Sequence, residues 1–150
     1  QVLGSYPTGV CAITATGADG TPAALVVGSF TSVSLDPPLV GFLPDKGSSS
    51  WPLIEAAGQF CVNVLASDQM AVCRQLAAEG ADKFAGLDVA LSEHGHPVIA
   101  NSIARIDCDL HSVIDAGDHW FVLGRVLGLE TTRDDDPMLF YRGRYGGFAG

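Results

Sequence analysis

The sequence predicts a mainly β protein, a closed antiparallel barrel with short helices at its rim, on three observations. Apolar, β-prone segments recur along the chain and several are joined by hairpin-type turns. Helical periodicity is confined to two short stretches, which disfavours a βαβ arrangement. No Gly-x-Gly-x-x-Gly follows a strand, so the signature of a dinucleotide-binding Rossmann sheet is absent.

Taken in order, residues 10–16 and 23–28 are apolar and bracket Gly17-Ala18-Asp19-Gly20, whose Asp-Gly pair marks a hairpin. Next comes Ser29-Phe30-Thr31-Ser32-Val33-Ser34-Leu35-Asp36-Pro37-Pro38-Leu39, a hydroxyl-rich run closed by two prolines. Pro37 and Pro38 fix φ, carry no N–H and push Asp36 out of the helical region, so the run is expected to be an open, extended loop with free amides. Such amides beside an apolar wall suit a flat, polar-edged ligand. The alternative is a turn whose hydroxyls cap their own backbone.

Residues 39–43 and 60–65 are continuous apolar runs of strand length, and between them Ser50 can cap a short helix over residues 50–57. Residues 67–78 read as an amphipathic helix with Ser67 as N-cap, Asp68 in the first turn and Met70, Val72, Cys73, Leu76 and Ala77 on one face. Two long strands come next, over residues 103–114 and 120–129, joined by Asp115-Ala116-Gly117-Asp118-His119. Residues 138–141 make a last strand before a Gly- and Tyr-rich tail. No repeat of fixed period is present.

With 150 residues the chain fits one domain over residues 1–150, large enough to bury its own core. Seventeen acidic against eight basic residues give a net charge of −9, which opposes binding to a phosphate backbone and makes nucleic acid an unexpected partner. Cys11, Cys61, Cys73 and Cys108 form no Cys-x-x-Cys pair and have no histidine at ligand spacing, so they read as small buried hydrophobes in a reducing cytoplasm, with no metal. No apolar run approaches the roughly 18 residues of a membrane span, and no signal peptide is expected.

Three constellations can carry chemistry. Asp45-Lys46-Gly47-Ser48-Ser49-Ser50-Trp51 sets a cation and three hydroxyls at an expected helix N-terminus, a site that favours phosphate. Lys83-Phe84 adds a second cation and a ring. Gly117-Asp118-His119 puts an imidazole at a hairpin tip with Asp118 close enough to orient it. Each has an ordinary structural alternative: a solvated loop with a serine cap, a surface charge, or a turn with an exposed histidine. His94 and His96 read as loop residues and His111 as a surface or cross-strand residue. No Gly-x-Ser-x-Gly elbow and no Walker loop is present, so a role in holding a cofactor that performs the reaction is favoured.

In their order along nearly the whole chain, Tyr6-Pro7-Thr8-Gly9-Val10, the run from Ser29 to Leu39, Phe60-Cys61-Val62-Asn63-Val64-Leu65, Gly117-Asp118-His119 and Leu139-Phe140-Tyr141-Arg142-Gly143 resemble the flavin reductase-like proteins. These are the small reductase components of two-component flavin-dependent monooxygenases. The resemblance implies a split, Greek-key-like FMN-binding barrel with a few short rim helices, forming a homodimer. It implies FMN or FAD reduced by NADH or NADPH, with reduced flavin passing by diffusion to a partner monooxygenase. It further implies that Ser29, Phe30, Thr31, Ser32, Val33 and Ser34 meet the isoalloxazine and ribityl chain. Lys46, Ser48, Ser49, Ser50 and Trp51 would surround the flavin phosphate, with Lys83 and Phe84 closing the site. His119, beside Asp118, would lie over the ring as the catalytic residue, and Tyr141, Arg142 and Tyr145 near the dinucleotide. The chain departs from the family pattern at Val26 and Gly28, where related sequences often carry threonine and asparagine. A non-catalytic flavin-binding storage or sensing module on the same barrel is the competing reading; it has no need of a histidine at the nicotinamide face. A split-barrel oxidase of a phosphorylated vitamin would want more basic residues than the eight present.

Overall fold

A computed structural model describes residues 1–80 and 82–150. After a short 3-10 turn the strands are β1 (Thr8–Gly9), β2 (Cys11–Thr16), β3 (Pro22–Val27), β4 (Thr31–Leu35) and β5 (Pro38–Phe42). Helix α1 (Trp51–Ala57), β6 (Gln59–Val64) and helix α2 (Met70–Ala77) follow, then the short β7 (Val89–Leu91) and β8 (Pro97–Ile99). The chain closes with β9 (Ala104–Ala116), β10 (His119–Thr131), β11 (Leu139–Tyr141) and β12 (Arg144–Gly146).

Seven strands make one antiparallel ladder in the order β3-β2-β6-β9-β10-β5-β4. Its two ends, β3 and β4, are unpaired edges, so the barrel is split rather than closed. The sheet nevertheless curls round one core: Leu25 and Val27 from one end share it with Val40 and Phe42 from the other, and with Phe60, Val62 and Val122 between. Helix α1 covers that core with Trp51 and Ile54, and the Phe42 ring meets the edges of Trp51 and Phe60 at centroid distances of 5.9 and 5.2 Å. Gly124 is required here, because a Cβ would stand 2.6 Å from the Phe60 ring.

The outer face of the same strands is covered too, which is why β2 and β6 read as unbroken apolar runs rather than alternating ones. Cys73 and Leu76 of α2 pack there with Ala12, Ala24, Leu65 and Met138. Beside them the β7–β8 hairpin covers a buried polar layer. Asn63 Nδ2 donates to Thr14 Oγ1, whose hydroxyl donates to the Pro97 carbonyl, and the Ile99 amide donates to Asn63 Oδ1.

Several expectations need correction. The run from Ser29 is no open loop: residues 31–35 are the edge strand β4, paired with β5 across a tight Asp36-Pro37 turn and bulged between Ser32 and Ser34. The prolines close a hairpin. Helix α2 begins at Met70, since the Ser67 amide is taken by the Asp136 carbonyl and the Asp68 carboxylate by Arg133. At α1 it is Ser48 whose Oγ accepts from the Ser50 and Trp51 amides, while Ser50 makes no capping bond of its own. His94 and His96 lie in the β7–β8 loop as expected, but His96 is buried there, with Nδ1 accepting from the Thr16 amide and Nε2 beside Gln59 Oε1, so it holds the β7–β8 hairpin down. Strands β1, β7, β8 and β12 were beyond the sequence pattern.

Candidate functional site

The split in the barrel is the site. Edge strand β3 forms one wall of a cleft of about 430 Å³, and the segment from Leu43 to Ser50 forms the other. Leu76 and Ala77 at the end of α2 give it an apolar side, Lys83 a cation, and His119 stands at its rim.

Among the described residues strand β3 pairs with no strand but β2, so alternate residues turn amide and carbonyl away from the ladder. Ala24 is one of them, since its carbonyl accepts from Lys83 Nζ at 2.9 Å. By the same alternation Val26 and Gly28, both cleft residues, present backbone donors and acceptors to whatever lies there. Gly28 is bare for a packing reason: a Cβ would come within 2.7 Å of Thr8 Oγ1. That hydroxyl is itself buried with no hydrogen-bond partner. The two positions where the sequence departs from the family pattern are therefore in the wall of the cleft.

Lys83 joins the walls. Its ammonium also donates to Ser50 Oγ at 2.9 Å, so one cation is held where the β3 edge meets the start of α1. Desolvation lowers its pKa below the ordinary lysine value, with the Glu79 charge opposing. Ser48, Ser49 and Ser50 line the cleft beside it. A cation, three hydroxyls, an apolar side and an unpaired strand edge suit a planar, phosphate-bearing ligand, and a flavin nucleotide matches that donor set.

The tip of the β9–β10 hairpin is stitched to the opposite wall. The Lys46 amide donates to the Asp118 carbonyl at 2.9 Å and the Trp120 amide to the Pro44 carbonyl at 3.0 Å. These bonds fix His119 at the rim. Its Nδ1 lies 2.7 Å from Asp118 Oδ1, and the imidazole holds the Asp118 carboxyl below its ordinary pKa.

Of the residues singled out in the sequence, Ser29, Ser48, Ser49, Ser50, Lys83 and His119 line this cleft. Ser29 Oγ accepts from the Leu43 amide at 2.9 Å, closing the floor where β3 runs into β4. Phe30 packs on the inner core, and Thr31, Ser32, Val33 and Ser34 lie on β4. Lys46 turns from the cleft: its ammonium pairs with Asp115 and sits 4.4 Å from the centre of the Trp120 ring. Trp51 is buried in the core and Phe84 packs beside α2. Asp118 is exposed beside His119. Tyr141, Arg142 and Tyr145 belong to the separate β1-β11-β12 sheet, where Arg142 lies over the Tyr141 ring. The β3 backbone was missed as a binding element because strand amides leave no mark in side-chain patterns.

Among the described residues no group of three or more His, Cys, Asp or Glu side chains can hold a metal, and no helix is long and apolar enough to cross a membrane. A family model described as "Flavin reductase like domain" matches residues 3–149. The chain is 59% identical over 148 residues to a flavin reductase of Pseudomonas putida, covering 99% of this chain and 87% of that one. It is 50% identical over 146 residues to the reductase subunit HsaB of a flavin-dependent monooxygenase of Rhodococcus jostii, covering 97% and 74%. The solved structure of the NADH:FAD oxidoreductase SgcE6 of Streptomyces globisporus, in complex with NAD and FAD fragments, superposes with a TM-score of 0.93. It is 36% identical and covers 99% of this chain and 89% of that chain.

Proposed function

This chain belongs to the flavin reductase-like domain family, and we propose that its cleft holds FMN or FAD, that it transfers hydride to the flavin from NADH or NADPH, and that reduced flavin then serves a partner monooxygenase. The observation that carries the reading is Lys83, held between the β3 edge and Ser50 in a cleft with His119 at its rim.

The two nucleotides supply the redox chemistry, a hydride passing from nicotinamide to flavin. The chain supplies position. Val26 and Gly28 offer backbone groups to the polar edge of a planar ring, and Leu76 and Ala77 exclude water from one side. Lys83, Ser48, Ser49 and Ser50 receive the phosphate. His119, hydrogen-bonded to Asp118 and lining the cleft, would hold the nicotinamide nucleotide against the flavin. In this reading residues 29–34 act chiefly through Ser29, Lys46 acts through its hold on the hairpin tip, and Trp51 and Phe84 back the phosphate site. Tyr141, Arg142 and Tyr145 lie along the path of the dinucleotide. The acidic composition favours NADH, which lacks the additional phosphate of NADPH.

A homodimer is part of the proposal. Val33 and Ile114 are 43% and 46% exposed on the outer face of the barrel, and Gly41 between them is bare where a Cβ would meet the Phe121 ring at 2.6 Å. A second copy covering this face would bury them. Sedimentation should report a dimer, and Ile114→Asp a monomer.

The primary test is anaerobic oxidation of NADH and of NADPH with FMN or FAD in excess, followed by loss of nicotinamide absorbance. Turnover with a flavin is expected. Tight flavin binding with no oxidation of either nucleotide would leave a binding module instead.

A further inference from the structure

The cleft that carries Lys83 also carries charge of the wrong sign for an anion. Two carboxylates line it, Asp45 and Glu79. Asp45 is engaged locally, its Oδ1 accepting from the Gly47 amide at 2.6 Å in the turn ahead of the serines. Glu79 is not. It stands exposed just past the end of α2, after the extended Ala78, and among the described residues its carboxylate has no hydrogen-bond or ion-pair partner. Its charge acts on Lys83, yet the ammonium donates to the neutral Ala24 carbonyl and Ser50 hydroxyl and closes no ion pair with it.

Resting on the flavin reading, we propose that Glu79 sets how tightly the flavin phosphate is held: its unpaired carboxylate opposes a phosphate at Lys83 and keeps the nucleotide exchangeable. A phosphate monoester carries a charge of about −1.5 to −2 at neutral pH. On reaching Lys83 it gains the ammonium and is repelled by the nearby carboxylate, so the net attraction is a difference of two terms set by distance and screening. A neutral side chain at position 79 would remove the repulsion without disturbing packing, because Glu79 is exposed and bonds to nothing. The effect is confined to the phosphate end, since Glu79 follows α2 while Gly28 and His119 stand at the other end of the cleft. A reductase whose reduced flavin leaves for a second protein needs such a limit on retention. Asp82, nearer to Lys83 in sequence, does not share the role: its Oδ1 accepts from the Phe84 amide at 3.2 Å, and it lines the space on the far side of Lys83, with Gly80, Thr21 and Leu53, rather than this cleft.

The test measures equilibrium binding of FMN and of riboflavin, by flavin fluorescence quenching, in the parent protein, Glu79→Gln and Asp82→Asn, at low and at high salt. Release of FMN is timed by stopped-flow displacement. At low salt Glu79→Gln is expected to tighten FMN about threefold or more, the scale of one like charge removed across a solvated cleft, and to slow its release in proportion. Riboflavin, which has no phosphate, should bind the variant as it binds the parent, which also reports that the variant is folded. The gain for FMN should largely vanish at about 0.5 M salt. Asp82→Asn, which changes the net charge by the same amount, should leave both ligands unchanged. Equal shifts for FMN and riboflavin, no shift in either, or the same gain in Asp82→Asn would overturn the role of Glu79 and leave the reductase reading standing. Failure of the parent protein to bind either flavin would overturn that reading, and the proposal with it.

Discussion

Nδ1 of His119 and Oδ1 of Asp118 lie 2.7 Å apart at the tip of the β9–β10 hairpin, and of the pair only His119 lines the cleft. On the proposed reading the carboxylate orients the ring, and the ring meets the ligand. His119→Ala should therefore slow reduction of bound flavin in anaerobic stopped-flow while leaving flavin affinity nearly intact. Asp118→Asn should have a smaller effect that shrinks further with salt, because Asp118 is open to solvent. Lost flavin binding with unchanged reduction would contradict this division of roles.

Lys83→Met removes the cation between Ala24 and Ser50. A charge-assisted hydrogen bond to phosphate contributes about 1.5–3 kcal/mol, so affinity for FMN should fall about tenfold or more. Riboflavin, which has no phosphate, should be nearly unaffected. Equal losses for both would make Lys83 a structural strut.

The pH profile of the same residue has a definite sign. Burial lowers the Lys83 pKa in the free protein, and a bound phosphate raises it again. Flavin nucleotide affinity should be highest below the free-protein pKa and decline as pH rises through it, beginning below the ordinary lysine range. Lys83→Met should flatten that decline in a calorimetric titration series.

Gly28 and Thr8 form a coupled pair. Gly28→Ala drives a methyl to 2.7 Å from Thr8 Oγ1, in the wall of the cleft, and should weaken flavin binding. Thr8→Ala removes the obstructing hydroxyl, so the double variant should recover affinity, with a coupling on the order of 0.5–3 kcal/mol in a double-mutant cycle. Additive losses would show that the two positions act separately.

His96 gives stability a dependence on pH. It is buried as the neutral imidazole, accepting the Thr16 amide on Nδ1, and desolvation lowers its pKa from the ordinary 6.5. The unfolded chain then binds the proton more readily than the folded one. Stability is complete above the unfolded pKa and is lost as pH falls from there toward the depressed folded value. Urea midpoints measured across that window should drop more steeply in the parent protein than in His96→Asn.

How much was legible in the sequence depends on where each signal resides. The Asp-Gly turn before β3 and the Gly117-Asp118 turn between β9 and β10 are written in local residues, and so were their strands. Strand β4 was not, because two prolines after a hydroxyl run describe an open loop and a hairpin equally well until β5 is seen to pair with it. The start of α2 depended on Arg133, 65 positions from Asp68. That Lys83 and the serines meet in one place was legible, because they declare their chemistry as side chains. Lys46 carried the same mark, yet only the position of Asp115 reveals where its charge goes.

The four cysteines have a practical consequence for work on this protein. All are buried, and desolvation pushes the thiols of Cys11, Cys61 and Cys108 up to about 12; that of Cys73 is raised too. The nucleophilic thiolate is therefore scarce at neutral pH. A single cysteine introduced on the exposed hairpin tip, at Ala116 for instance, can be labelled with a maleimide dye in the otherwise unmodified chain, giving a fluorescent reporter a few residues from His119 with no native thiol to compete for it.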